Sequence, residues 1–119
     1  MANIDDLYKK GFGQLGSLFL DGDGAASPPT NKVFIAITFL SNTTFDASGG
    51  LVADTSNSSL EFVGNTAAHD ATDGSETTIT GSGGVVVDAS NSFPAGVTIF
   101  GRWTEIDLTA GALIAYIGE

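Results

Sequence analysis

A chain of 119 residues has the length of one domain with a modest core. Its 14 acidic side chains against four basic ones give a net charge of −10, which repels nucleic-acid phosphates and anionic membranes. The chain has no cysteine, which excludes a disulfide framework, a thiolate zinc site and a cysteine nucleophile. Charged residues make up 15% of the chain, below the usual ~25%, so glycine, serine, threonine, asparagine and alanine leave a surface that is polar but sparsely charged.

Residues 1–16 read as an N-terminal arm and residues 17–119 as the folded domain. The arm holds the one helical pattern: Asn3 can cap it, and Ile4, Leu7 and Tyr8 fall on one side before Gly11, Gly13 and Gly16 end it. So short a helix is marginal in water alone and is expected to dock on something. Lys9 and Lys10 carry half of the basic charge, so Ile4, Leu7, Tyr8, Lys9, Lys10 and Phe12 are the candidate partner-contact residues. Acids precede the lysines, and no apolar run is long enough for a signal peptide or a membrane span, so synthesis in a cytoplasm is expected.

Residues 15–20 suggest a short strand ending at Asp21-Gly22-Asp23-Gly24. Residues 25–30 contain Pro28-Pro29, which cannot donate to a ladder, and read as a loop. Residues 33–40 are apolar on both faces, the mark of a strand in the middle of a sandwich or barrel. From 41 to 92 short apolar islands (51–53, 60–63, 77–80 and 85–87) alternate with glycine-rich turns. Residues 66–75 read as a surface loop. The similar runs Asp54-Thr55-Ser56-Asn57-Ser58 and Asp88-Ala89-Ser90-Asn91-Ser92 read as two related turns.

The last quarter carries the strongest pattern. Residues 97–106 form one predicted strand and 113–117 a second, joined by a short connection in which Gly111 supplies the positive φ of a hairpin. Val97, Ile99 and Trp103 share one face, and Thr98, Phe100, Arg102 and Thr104 the other. Trp103 is expected in the core, and Arg102, near Glu105 and Asp107 in sequence, in a same-face or cross-strand ion pair. The expected fold is all-β: one antiparallel sandwich or barrel of about seven or eight short strands with the arm outside it.

No chemistry-bearing constellation stands out. Counted from Asp21, an EF-hand loop fails at Ala25, Ala26 and Lys32, so the Asp21/Asp23 segment reads as a tight turn. His69-Asp70 lacks a nucleophile and a rigid mount, and reads as a solvated histidine. Neither Gly11-Phe12-Gly13 nor Gly81-Ser82-Gly83-Gly84 has the Lys-Ser/Thr of a phosphate loop. The expectation is therefore a non-enzymatic protein with no catalytic residues, cofactor or metal site.

The run Phe93-Pro94-Ala95-Gly96-Val97-Thr98-Ile99-Phe100-Gly101-Arg102-Trp103-Thr104, followed by Gly111-Ala112-Leu113-Ile114-Ala115-Tyr116, resembles the C-terminal segment of small virion proteins of tailed bacteriophages. Size, low charge density and the all-β pattern are most similar to the capsid decoration (cement) proteins among them. That resemblance implies a β-rich homo-oligomer, commonly a trimer, on the virion surface, bound to the major capsid protein and clamping its lattice, with no nucleic-acid or membrane partner. A tail, baseplate or fibre component is the alternative within the same class. A carbohydrate- or cation-binding β-module is the reading from another class.

Overall fold

The structure is a computed structural model that describes residues 15–56, 62–65 and 86–119. The six arm residues singled out above, together with His69, the island at 77–80 and the first two residues of the island at 60–63, lie outside the described residues. Within them the fold is all-β, as the composition and turn spacing led one to expect. Eight strands form one antiparallel sheet: β1 (Ser17–Asp21), β2 (Gly24–Ala26), β3 (Val33–Phe39), β4 (Thr43–Phe45), β5 (Leu51–Ala53), β6 (Ser92–Phe93), β7 (Thr98–Ala110) and β8 (Ala112–Gly118).

The eight strands fall into longer runs. β7 and β8 are one ribbon broken at Gly111, and β1 and β2 lie antiparallel along it, from Ser17 opposite Tyr116 to Ala26 opposite Ile106. β3, β4 and β5 follow the ribbon's other side, from Val33 opposite Gly118 through Phe45 opposite Leu108 to Ala53 opposite Trp103. The start of β7 returns to the far side of β3, with Thr98 opposite Thr38 and Trp103 opposite Phe34. Trp103 therefore pairs with β3 through Phe34 and with β5 through Ala53, and the sheet curls into a closed roll.

This overturns the expected C-terminal hairpin. β7 and β8 are not partners, because β3 lies between them. Nor is the connection a five-residue turn: residues 107–110 belong to β7, and Gly111 alone separates the two strands. Gly111 has φ +111°, and the Gly22 N–H donates to its carbonyl at 2.7 Å, with Gly22 itself at φ +82°. Two left-handed glycines at the same level let both strands of the ribbon bend together without either chain reversing. Ala25 and Ala26, expected in the loop 25–30, belong to β2 for the same reason: they continue past this corner along β7.

Bulges supply the rest of the curvature. Val52 lies opposite Glu105 and Ala53 opposite Trp103, so Thr104 is an extra residue on β7. The inward face of β7 accordingly shifts from Ile99, Gly101 and Trp103 to Ile106 and Leu108. The core holds Phe34, Ile37, Phe39, Phe45, Leu51, Trp103, Ile106, Leu108 and Leu113, with Leu18, Leu20, Phe93, Ile99 and Ile117 packed around it. β3 is central as expected, flanked by β7 and β8. Phe39 stacks on Phe93 at 4.8 Å, and both meet the edge of Phe45, closing one end.

Trp103 closes the other end. It is wholly buried, and its indole N–H donates to the Val63 carbonyl at 2.7 Å, which satisfies the one polar group the ring takes into the core. Its ring lies over Gly101, where a Cβ would stand 2.7 Å from Cζ2. The expected core position of Trp103 holds.

The corner glycine is the most sensitive point of this architecture. A Cβ on Gly111 would come within 2.6 Å of the Asn42 carbonyl oxygen and of the Thr43 Cα, in addition to the strain of its φ. Gly96 has a comparable φ of +90° but open space around its Cβ position. Gly96→Ala should therefore cost about 1–2 kcal/mol, from backbone strain alone. Gly111→Ala should cost roughly 3 kcal/mol or more, with steric displacement added. Urea unfolding followed by Trp103 fluorescence checks the difference; equal losses would contradict the corner's tight packing.

Candidate functional site

Curling the sheet gives it two unlike outer surfaces. On β1, residues alternate: Leu18 and Leu20 turn toward the core, while Ser17, Phe19 and Asp21 face outward. Pairing register carries that outward face across four strands. One row is Phe19, Ile114, Thr38 and Thr98; the next is Ser17, Tyr116, Ala36 and Phe100. The Thr38 and Thr98 hydroxyls satisfy each other at 2.9 Å. Phe100 is 72% exposed and Phe19 59%, among the large hydrophobic side chains most open to solvent in the described residues. Neither row contains a charge.

The second surface is acidic. Beyond the Thr104 bulge the outward residues of β7 become Glu105 and Asp107. Asp46 reaches Asp107 from the end of β4, where its N–H donates to the Asp107 carbonyl at 2.9 Å. Asp23 arrives from the corner between β1 and β2. Carboxylate oxygens of Asp23, Asp46 and Asp107 lie within 4.8 Å of one another, so these three are the residues placed to hold a hard cation if one binds. The loop after β4 closes over them through Gly49, whose carbonyl accepts from Asn65 Nδ2 at 2.5 Å. Partial burial pushes the Asp107 carboxyl above its ordinary value of 3.8, and the charges of Asp46, Glu105 and Asp23 push it further.

Arg102 forms the expected ion pair, in its cross-strand form, with the residue that follows β5. Its Nε lies 3.1 Å from Asp54 Oδ2, and its Nη1 donates to the Glu119 carbonyl at 2.6 Å. Strand pairing brings the two together: the Asp54 N–H, just past β5, donates to the Arg102 carbonyl at 2.8 Å. Asp54 also accepts the Ser56 N–H at 3.0 Å. The Ser56 backbone and hydroxyl, with Arg102 after them, hold its carboxyl below the ordinary range. Asp88 accepts the Ser90 N–H at 2.9 Å in the same way. The two similar Asp-x-Ser runs are thus two Asx turns built on one pattern, as their sequences suggested.

Sequence reasoning placed Phe100 on the outward face of its strand, and the structure puts it there. The Asp21/Asp23 turn is split by the corner: Asp21 ends β1, and Asp23 joins two carboxylates distant in sequence. No local spacing signals that convergence, because 23, 46 and 107 meet only through strand pairing. Compared with known proteins, the chain matches no family, no curated sequence and no solved structure.

The two perturbed aspartates pull stability in opposite directions with pH. Asp54, lowered, adds stability above about pH 4 that is lost as acid protonates it; Asp107, raised, is best tolerated protonated and destabilises as pH rises through its folded value. Asp107→Asn should therefore be more stable than the parent at pH 7, by no more than about 1 kcal/mol. Asp54→Asn should be less stable at pH 7, by about 1–2 kcal/mol. Both differences should shrink toward pH 3 in urea titrations, and a D107N protein that is weaker at pH 7 would contradict the assigned repulsion.

Proposed function

We propose that this chain is a non-enzymatic structural protein of a phage particle. In this reading it decorates the outside of the head, binds the major capsid protein and cements the lattice. The observation that carries the reading is the pair of uncharged rows across β1, β8, β3 and β7, from Phe19 to Thr98 and from Ser17 to Phe100, with Phe19 and Phe100 open to solvent. A contiguous apolar face on an otherwise acidic, well-packed domain is suited to docking against a larger body. The resemblance of residues 93–104 and 111–116 to small virion proteins supports the same reading, and those residues build part of that face.

The mechanism is linkage. A protein that binds joined subunits and not separated ones stabilises the joined state by RT ln(1 + [L]/Kd), about 2.7 kcal/mol at a hundredfold excess over Kd. Multiplied over a shell, such increments resist internal pressure without any chemistry. The acidic face formed by Asp46, Glu105 and Asp107 then looks outward and keeps the decorated particle soluble. The arm residues Ile4, Leu7, Tyr8, Lys9, Lys10 and Phe12 offer a second contact. Homo-oligomerisation on the virion surface belongs to the same proposal.

Heads assembled without the protein provide the test. The full chain should co-sediment with them. Phe100→Asp, altering a side chain that is 72% exposed, should fold normally by Trp103 fluorescence yet bind at least tenfold more weakly. Failure of the parent chain to sediment with heads would overturn the proposal, and undiminished binding of F100D would remove this face from it.

A further inference from the structure

We infer that β1 is a homotypic seam: two copies of the chain pair antiparallel, edge to edge, about a two-fold axis through Phe19. β1 stands at one end of the sheet order, paired with β8 on one side, and no described strand covers the other. An open edge of this kind is usually blunted by shortness, proline, charged side chains (lysine above all) or a bulge. The other open edges follow that rule, since β6 has two residues and β2 has three, soon followed by Pro28 and Pro29. β1 is the least protected: its five residues run in unbroken register with β8, contain no proline and no base, and carry one charge, Asp21, at the last position.

Its sequence is also complementary to itself. Antiparallel pairing of Ser17-Leu18-Phe19-Leu20-Asp21 with a second copy about Phe19 sets Phe19 against Phe19 and Leu18 against Leu20. Because side chains alternate with period two, this register keeps Leu18 and Leu20 on the core side and Ser17, Phe19 and Asp21 on the outer side in both copies. Charge selects the same arrangement. Two chains of net charge −10 repel, so a contact between them has to keep carboxylates apart. Antiparallel pairing places each Asp21 opposite the other copy's Ser17, whose hydroxyl can donate to it. Parallel pairing would put Asp21 beside Asp21. The contact is isologous and closes with two copies, unlike the three-fold assembly implied by the virion resemblance.

The seam also has a consequence for the outer face. The row Phe19, Ile114, Thr38 and Thr98 continues across the axis into its symmetry mate, giving one apolar surface with a Phe100 toward each end. The inference does not rest on that surface meeting a capsid.

The test uses the full chain, whose lack of cysteine allows a single thiol to report proximity. Residues directly opposite in an antiparallel pair have Cα atoms roughly 4.5–5.5 Å apart, within disulfide range. Phe19→Cys should therefore cross-link to a covalent dimer under mild oxidation, whereas Phe100→Cys, more exposed but away from the axis, should not. By sedimentation equilibrium the parent should be a dimer, and Phe19→Lys should weaken that dimer at least tenfold with its Trp103 fluorescence unchanged. A parent that stays monomeric at about 100 μM, a three-fold oligomer, or a dimer in which F19C does not cross-link in preference to F100C would overturn the seam.

Discussion

Everything in this fold depends on residues 98–118 passing β3 twice. The ribbon leaves β3 at Trp103, turns at Gly111 and returns along the opposite side of β3 from Leu113. A flat strand of that length cannot do this. The bend comes from the extra residue at Thr104 and from the left-handed pair Gly22 and Gly111 facing each other across the ribbon. Trp103 then fills the space where the two passes meet, with its ring on Gly101 and its N–H on the Val63 carbonyl. Closure of the roll and filling of the core are the same event, since the residue that pairs across the closure is also the largest buried one.

The same curvature divides the outside of the molecule. Before the bulge, odd-numbered residues of β7 face inward and Phe100 faces solvent; after it, even-numbered residues face inward and Glu105 and Asp107 face solvent. One extra residue therefore separates an apolar face from an acidic one. Asp107, raised by burial and by its acidic neighbours, shows that the acids stand close enough to repel. A globule that keeps mutual repulsion on one side and bare phenylalanines on the other gives up stability in both places. That loss is intelligible when the apolar side is covered by something else and the acidic side stays in water.

Pattern reading reached the parts of this architecture that are local. The doubly apolar run of β3 fixes its central place, the alternation from Ile99 to Trp103 gives the core face, and the paired Asp-x-Ser runs give two Asx turns. It failed where the determining contact is distant. A lone glycine between two strands reads as a hairpin, and only the insertion of β3, some 70 residues earlier in the chain, makes it a bend. Thr104 carries no composition signal for a bulge, and the cross-strand partner expected for Arg102 has no identity until β5 is paired with β7, which makes it Asp54. β4 and β6 are too short to show a period. The outer apolar face was half legible, because the outward direction of Phe100 is local whereas its alignment with Tyr116 and Ser17 is a product of register.

In the proposed reading, the face bearing Phe19, Tyr116 and Phe100 is covered when the protein is at work. Hydroxyl-radical footprinting read by mass spectrometry, comparing free protein with protein bound to heads, measures that coverage residue by residue. The account predicts strong protection of Phe100 and Tyr116 on the heads, with Phe45 and Trp103 unreactive in both states because they are buried. Equal labelling of Phe100 and Tyr116 in the free and bound protein would contradict it.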